Sequence, residues 1–224
     1  MTSKERVRRA LQHLQVDRIP AHFECTGAVS EKLMHHYGFT THEEILEKFE
    51  IDIRCVDAEY IGPKLPKYVD VDGNEVVTDY WGNRNKRHWT GCEYNYITCY
   101  YPLDEIETLE GLDHYPWPSA DWFDYSVVTK FCLKHSDKAI MIGHPGPFQI
   151  ATFLRNMDKL FIDMALEPEF AQKIFDKMVE FELDYYERML IAGQGLIDII
   201  RPHDDYGTQQ SLLFSVDMWR QFFK

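Results

Sequence analysis

Cysteine is scarce in this chain of 224 residues and shows no pairing pattern. Cys25, Cys55, Cys92, Cys99 and Cys132 are odd in number, with no Cys-x-x-Cys spacing. That argues against a disulfide framework and a zinc knuckle, and a reducing cytoplasm is the expected compartment. Basic residues are also in deficit: 24 Lys and Arg stand against 37 Asp and Glu, a formal charge of −13 with no basic run. A nucleic-acid partner is therefore not expected, because no cluster of cations would release counterions from a phosphate backbone. Long apolar runs are missing too. None approaches the roughly 20 residues that span a bilayer, and "MTSKERVRRALQHL" places charges where a signal peptide needs an apolar segment. Neither export nor membrane insertion is expected. HExxH, GxSxG, the P-loop and GxGxxG are all absent, so metalloprotease, α/β-hydrolase, nucleotide-binding and Rossmann readings have no motif behind them.

The residues present are those of an ordinary globular protein: 45% apolar, 14% aromatic and 27% charged. That composition can bury one sizeable core. Thr2 or Ser3 caps a first helix whose Val7, Ala10, Leu11 and Leu14 make one apolar stripe. "RIPAHFE", Arg18 to Glu24, is expected as a short strand, and "TGAVSEKLMHHYG" as a turn into a helix closed by Gly38. "THEEILEKFE" then leads into the strand "IDIRCVDAEY". Residues 67–101 change character: β-rich arms flank an Asp72-Gly73 turn and a third alternating run follows, which predicts an antiparallel insertion. "HYPWPSADWFDY" reads as a surface loop pinned by aromatics. Beyond it come the helix "DYSVVTKFCLKHS", the strand "AIMIG", helices from about 149 to 166 and from Pro168 to Ala192, the strand "GLIDII", and a helix capped by Ser215.

Four short apolar strands, starting near Ile19, Ile51, Ala139 and Leu196 and each followed by helix, predict an α/β fold. Its parallel sheet would belong to a doubly wound sheet or to a (β/α)8 TIM barrel of which residues 1–224 supply the N-terminal half to two-thirds. In either architecture ligands bind beyond the carboxyl ends of the strands. The residues there are His22, Glu24 and Cys25; Asp57 and Glu59; His144; and His203, Asp204 and Asp205. Carboxylates and imidazoles so gathered can shift one another's pKa toward catalytic values, or bind a divalent metal. Each also has a plain structural role open to it. His144 can satisfy a loop carbonyl, Glu24 can cap a helix or pair with an arginine, Asp57 or Glu59 can pair with Arg54 or Arg201, and Asp204 and Asp205 can form an Asx-type turn before Gly207. Cys25 can be a packing cysteine.

Four stretches together, "TSKERVRRALQHLQVDRIP", "HYPWPSADWFDY", "IMIGHPGPFQIATFL" and "HDDYGTQQSLLFSVDMWRQFF", resemble the uroporphyrinogen decarboxylase superfamily. That superfamily holds the decarboxylases and the corrinoid-linked methyltransferases that methylate thiols. The resemblance runs from end to end of the chain and implies a barrel of more than 300 residues. It also implies changes at the site. Where decarboxylases carry "RQAGRY" after the first strand, this chain has "AHFECTGAV" without an arginine. Where they place a nitrogen-binding aspartate, it has Glu59 with Asp57 near. Phe153 stands in place of a functional tyrosine, and "HDDY" replaces "FDSW", so that His203 and Asp205 are substitutions.

The mouth thus gains acid where a polyanionic tetrapyrrole needs cations. The resemblance therefore favours a cytoplasmic methyltransferase-like enzyme acting on a small or corrinoid-carried substrate. His203, Asp205 and Glu59 would be catalytic, and His144, Glu24, Asp57, Asp204 and Phe153 substrate-binding. Zinc and a corrinoid methyl carrier are implied by that branch alone; its zinc ligands, a His-x-Cys and a distant Cys, would lie beyond Lys224. The alternatives are uroporphyrinogen decarboxylation and a non-catalytic fragment or binding subunit, whose open barrel edges would be covered by a partner or in a homodimer.

Overall fold

The computed structural model describes residues 1–224. In chain order the elements are α1 (Ser3–Leu11), α2 (Gly27–Tyr37), α3 (His42–Lys48), β1 (Ile53–Cys55), β2 (Glu59–Tyr60), β3 (Lys67–Val69), β4 (Glu75–Thr78), β5 (Arg84–Trp89), β6 (Tyr94–Tyr100), α4 (Leu109–His114), β7 (Phe123–Asp124), α5 (Ser126–Lys134), β8 (Ala139–Ile142), α6 (Pro147–Leu154), α7 (Met157–Leu166), α8 (Pro168–Gly193), β9 (Ile197–Ile200) and α9 (Val216–Phe223). They form an α/β structure of two compact units, each drawn from three stretches of chain. The first unit comprises residues 1–59, 124–143 and 187–201; the second comprises 60–123, 144–186 and 202–224.

The first unit is built on a parallel sheet in the order β1-β8-β9. Its central strand, "AIMI", is buried at every position, as expected of a strand covered on both faces. Ionic contacts tie the surrounding chain to the sheet. Asp52, fully buried, accepts from the guanidinium groups of Arg6 and Arg18 at 2.6 Å each and from the Ala21 backbone N–H at 2.9 Å. Asp198 on β9 accepts from Lys4 at 2.7 Å, Arg8 at 2.6 Å and the Ile140 N–H at 2.9 Å, which joins α1 to two strands. Arg54 is inside as well, and its guanidinium reaches Glu43, Glu47 and the Ile51 carbonyl.

Local sequence accounts for the helix ends. Thr41 and Glu44 form a reciprocal capping box on α3, and Gly38 closes α2 at φ 70°, a left-handed position that costs glycine nothing. Two expectations fail here. "RIPAHFE" is irregular rather than a strand: Pro20 has no N–H to give a ladder, and the backbone bond from Asp52 N–H to the Ala21 carbonyl stands alone. The parallel sheet therefore has three strands in place of four, and it does not close into a barrel. Helix α1 ends at Leu11, leaving Leu11 and Leu14 exposed and Val7 as its buried anchor.

The second unit holds the four-stranded antiparallel sheet β3-β4-β5-β6 and the helices α4, α6, α7, most of α8, and α9. Asp70 closes the β3–β4 turn by accepting from the Asp72 and Asn74 N–H groups, with Gly73 at φ 84°. The stretch expected as a single helix from about 149 to 166 is two, because Arg155 turns extended and Asn156 caps a new helix, α7. Arg155 is itself buried in an ion pair with Asp163. Aromatic packing fills the core: Phe148, Phe175, Phe181 and Tyr185 are all at most 5% exposed.

Candidate functional site

Beyond the carboxyl end of β1, within the first unit, lies a cavity of about 370 Å³ lined by His22, Glu24, Cys25, Arg54, Cys55 and Phe131, among others. The irregular segment after Pro20 supplies His22, Glu24 and Cys25, and β1 supplies Cys55. Being free of a ladder lets that segment turn consecutive side chains toward the strand end. Cys55 Sγ stands 3.6 Å from His22 Nε2. Burial lowers the His22 imidazole and raises the Cys55 thiol, with Glu24 and Asp57 adding to the rise of the thiol. Both groups are therefore held in their neutral forms, the reverse of a thiolate–imidazolium nucleophile.

Arg201, one residue past β9, meets Glu24 through both terminal nitrogens at 3.1 and 2.6 Å. The approach of the two strand ends requires Gly143, since a Cβ there would run into the Arg201 carbonyl. The arginine that the sequence suggested for Asp57 or Glu59 is thus engaged by Glu24, in the pairing role open to Glu24 from the start. Asp57 and Glu59 follow in the same unit and are exposed.

In the second unit the loop after β9 folds back on the start of α6. The Gly146 N–H donates to the His203 carbonyl at 2.6 Å, and the His203 N–H to the His144 carbonyl at 3.2 Å. Gly146 at the N-cap has no side chain to offer, and Asp204 does the capping from 55 residues away. Its carboxylate accepts from the N–H groups of Phe148 at 3.2 Å and Gln149 at 2.7 Å, and from the Tyr206 hydroxyl at 2.8 Å. Gly146 is required there, because a Cβ would meet the Asp204 carboxylate at 2.6 Å.

Asp205 and His203 face solvent, and Phe153 on α6 is 40% exposed. His144 sits among aromatics: its N–H donates to the Tyr186 hydroxyl at 2.8 Å, Nδ1 lies 3.4 Å from the Tyr80 hydroxyl, and the Tyr185 ring is 4.9 Å away. The structure therefore gathers His22, Glu24, Cys55 and Arg201 in one unit and His144, Asp204 and Tyr206 in the other. Of the two neighbouring aspartates it is Asp204 that turns inward.

Two residues escaped the sequence reading, Cys55 at the end of β1 and Glu182 on α8. Glu182 is 8% exposed, its Oε1 has no partner, and burial, together with the charge of Asp204, pushes its carboxyl up to about 8. A signal for it was present. Met178, Glu182, Tyr185 and Met189 follow helical spacing, and Glu182 is the acid on that buried stripe.

The chain was also compared with known proteins. No protein-family model matches this sequence, and no curated protein does. Among solved structures, a methyltransferase from Methanosarcina mazei aligns with a TM-score of 0.59 at 19% sequence identity, over 100% of this chain and 64% of that one. The chain thus has a methyltransferase-like fold and spans less than two thirds of that protein's length.

Proposed function

We propose that this chain belongs to a methyltransferase-like enzyme of the uroporphyrinogen decarboxylase superfamily, built on its TIM-barrel architecture and transferring a methyl group from a corrinoid carrier to a small acceptor. The observation that carries this reading is the fold likeness to a methyltransferase along the whole chain. The cavity beyond β1 supports it. Arg54 in its wall is held by Glu43 and Glu47, and Arg201, just past β9, is held by Glu24, so neither is a spare cation for a polycarboxylated tetrapyrrole, and decarboxylation ranks second.

A small thiol is the acceptor class the cavity suits. In the transfer a carbon–sulfur bond forms, the bond from methyl to carrier breaks with its electron pair left on the carrier, and the thiol proton needs a base. His22 Nε2, neutral through burial, lines the cavity 3.6 Å from the Cys55 sulfur and is the base available. The catalytic roles assigned to His203, Asp205 and Glu59 stand as proposals for the same reaction.

Zinc, which the methyltransferase branch implies, does not fit the residues present. His22 and Cys55 are an adjacent pair, but no three His, Cys, Asp or Glu side chains form a donor set, and no step is routed through a metal. The test is incubation of the chain with methylcob(III)alamin and a panel of small thiols, read by visible absorbance and by mass spectrometry of the thiols. Methylated thiol, reduced at least tenfold in His22→Ala, is expected. No methylated thiol from any acceptor would overturn the reading, and carbon dioxide release from uroporphyrinogen would establish the alternative.

A further inference from the structure

The second unit contains another cavity that the proposed reaction does not use. It encloses about 220 Å³ between the loop after β9 and α9, lined by Tyr206, Leu212, Phe214, Ser215, Val216 and Trp219. The loop owes its shape to a short antiparallel bridge, Gly207 to Leu212, closed by Thr208. Tyr206 and Phe214 emerge from its two arms with centroids 5.7 Å apart and planes at 77°, two walls meeting near a right angle. Trp219, one turn into α9, supplies a third ring. The volume is below the roughly 300–1,000 Å³ of a site for a drug-sized ligand, so the occupant is a small head group.

Several polar atoms of the wall already have partners. The Ser215 hydroxyl accepts the Met218 N–H as the cap of α9, the Ser215 carbonyl accepts the Trp219 N–H, and the Tyr206 carbonyl accepts the Leu213 N–H. The Tyr206 hydroxyl donates to Asp204, with Trp219 acting on it from the other side. No lysine or arginine lines the cavity, so an anion has nothing to bind. A primary ammonium would bring three N–H donors to a wall made mostly of rings and aliphatic side chains.

A methylated onium brings a positive charge and no N–H at all, and aromatic faces attract it through their quadrupoles. The carboxylate that accepts from Tyr206 enriches that ring and adds its own field.

We propose that Tyr206, Phe214 and Trp219 form an aromatic cage for the head group of a quaternary ammonium or other fully substituted onium ligand, with Asp204 setting its preference for positive charge. The experiment is titration calorimetry with choline and with its uncharged isostere 3,3-dimethylbutan-1-ol, on the unmodified chain, on Trp219→Leu and on Phe214→Leu. Choline is expected to bind roughly three- to thirty-fold more tightly than the isostere. Either leucine variant, verified as folded by circular dichroism, should bring choline down to the level of the isostere; Phe214→Leu serves if Trp219→Leu does not fold. Equal affinity for the two ligands, no saturable heat from choline, or unchanged choline binding in the folded variant would overturn the assignment.

Discussion

The two units of this chain handle buried charge in opposite ways. In the first, Asp52, Asp198 and Arg54 are at most 1% exposed at the side chain, and each is met by two or more partners of opposite charge. In the second, rings fill the interior and one ion pair, Arg155 with Asp163, is buried cleanly, while Glu182 keeps an oxygen without a partner. Paired charges fix the geometry of the parallel sheet on which the cavity of His22 and Cys55 rests. A buried carboxyl with an unpartnered oxygen costs stability and holds its proton. The contrast is that between a scaffold and a polarised wall.

The largest expected effect strikes the first unit. Asp52→Ala takes from Arg6 its buried acceptor, leaving it Asp17 alone, and removes the anchor of Arg18 and Ala21, a loss of about 3–5 kcal/mol from several charge-assisted bonds. Urea unfolding followed by hydrogen exchange should show β1 and β8 losing protection while α6 and α8 residues 168–186 keep theirs. Equal loss in both units would break the comparison.

Next in size is the pH dependence of Glu182. Its carboxyl is raised in the folded state to about 8 from 4.5, so between those values the unfolded chain releases a proton that the folded one keeps. Stability contributed by this group is full below pH 4.5 and is lost as pH rises toward 8, by about 2–4 kcal/mol. The paired acids Asp52 and Glu47 of the first unit are shifted down, and their contribution is lost as pH falls. Glu182→Gln is expected to flatten the fall between pH 5 and 8 in thermal melts and to raise the melting temperature at pH 8. A variant that melts like the parent at both pH values would contradict this.

The smallest effect sharpens the comparison at one loop. Gly146→Ala places a methyl against the Asp204 carboxylate and should unseat the remote cap of α6, at about 1–2 kcal/mol. Asp204→Ala should cost a similar amount, and the double variant little more than either alone, since both break one contact. Additive losses by chemical denaturation would show that Asp204 holds α6 by some other route.

Much of this was readable along the chain. Thr2, Gly38, Pro168 and Ser215 mark helix boundaries because caps act over three or four residues. The alternating runs between 67 and 101 signalled paired strands for the same local reason. The first strand was misread because "RIPAHFE" has the apolar pattern of a strand while Pro20 lacks the donor and no neighbour offers a ladder. Glu182 was legible as an acid on an apolar stripe. Its raised proton affinity was not, because that depends first on how deeply the folded core buries it and then on the charge of Asp204, brought near by the fold.

The sequence by itself determined the α/β alternation, several caps and the acidic balance, since each depends on composition or on neighbours within a turn or a strand. Tertiary structure alone decided the partners. Glu24 meets Arg201 across 177 positions, and Asp204 rather than Asp205 reaches the start of α6 across 55. The thiol of Cys55 faces the His22 imidazole, and three rings from a loop and a helix converge on one cavity. Such choices depend on which strands lie side by side and on how closely two backbones approach. No local pattern of residues encodes those distances.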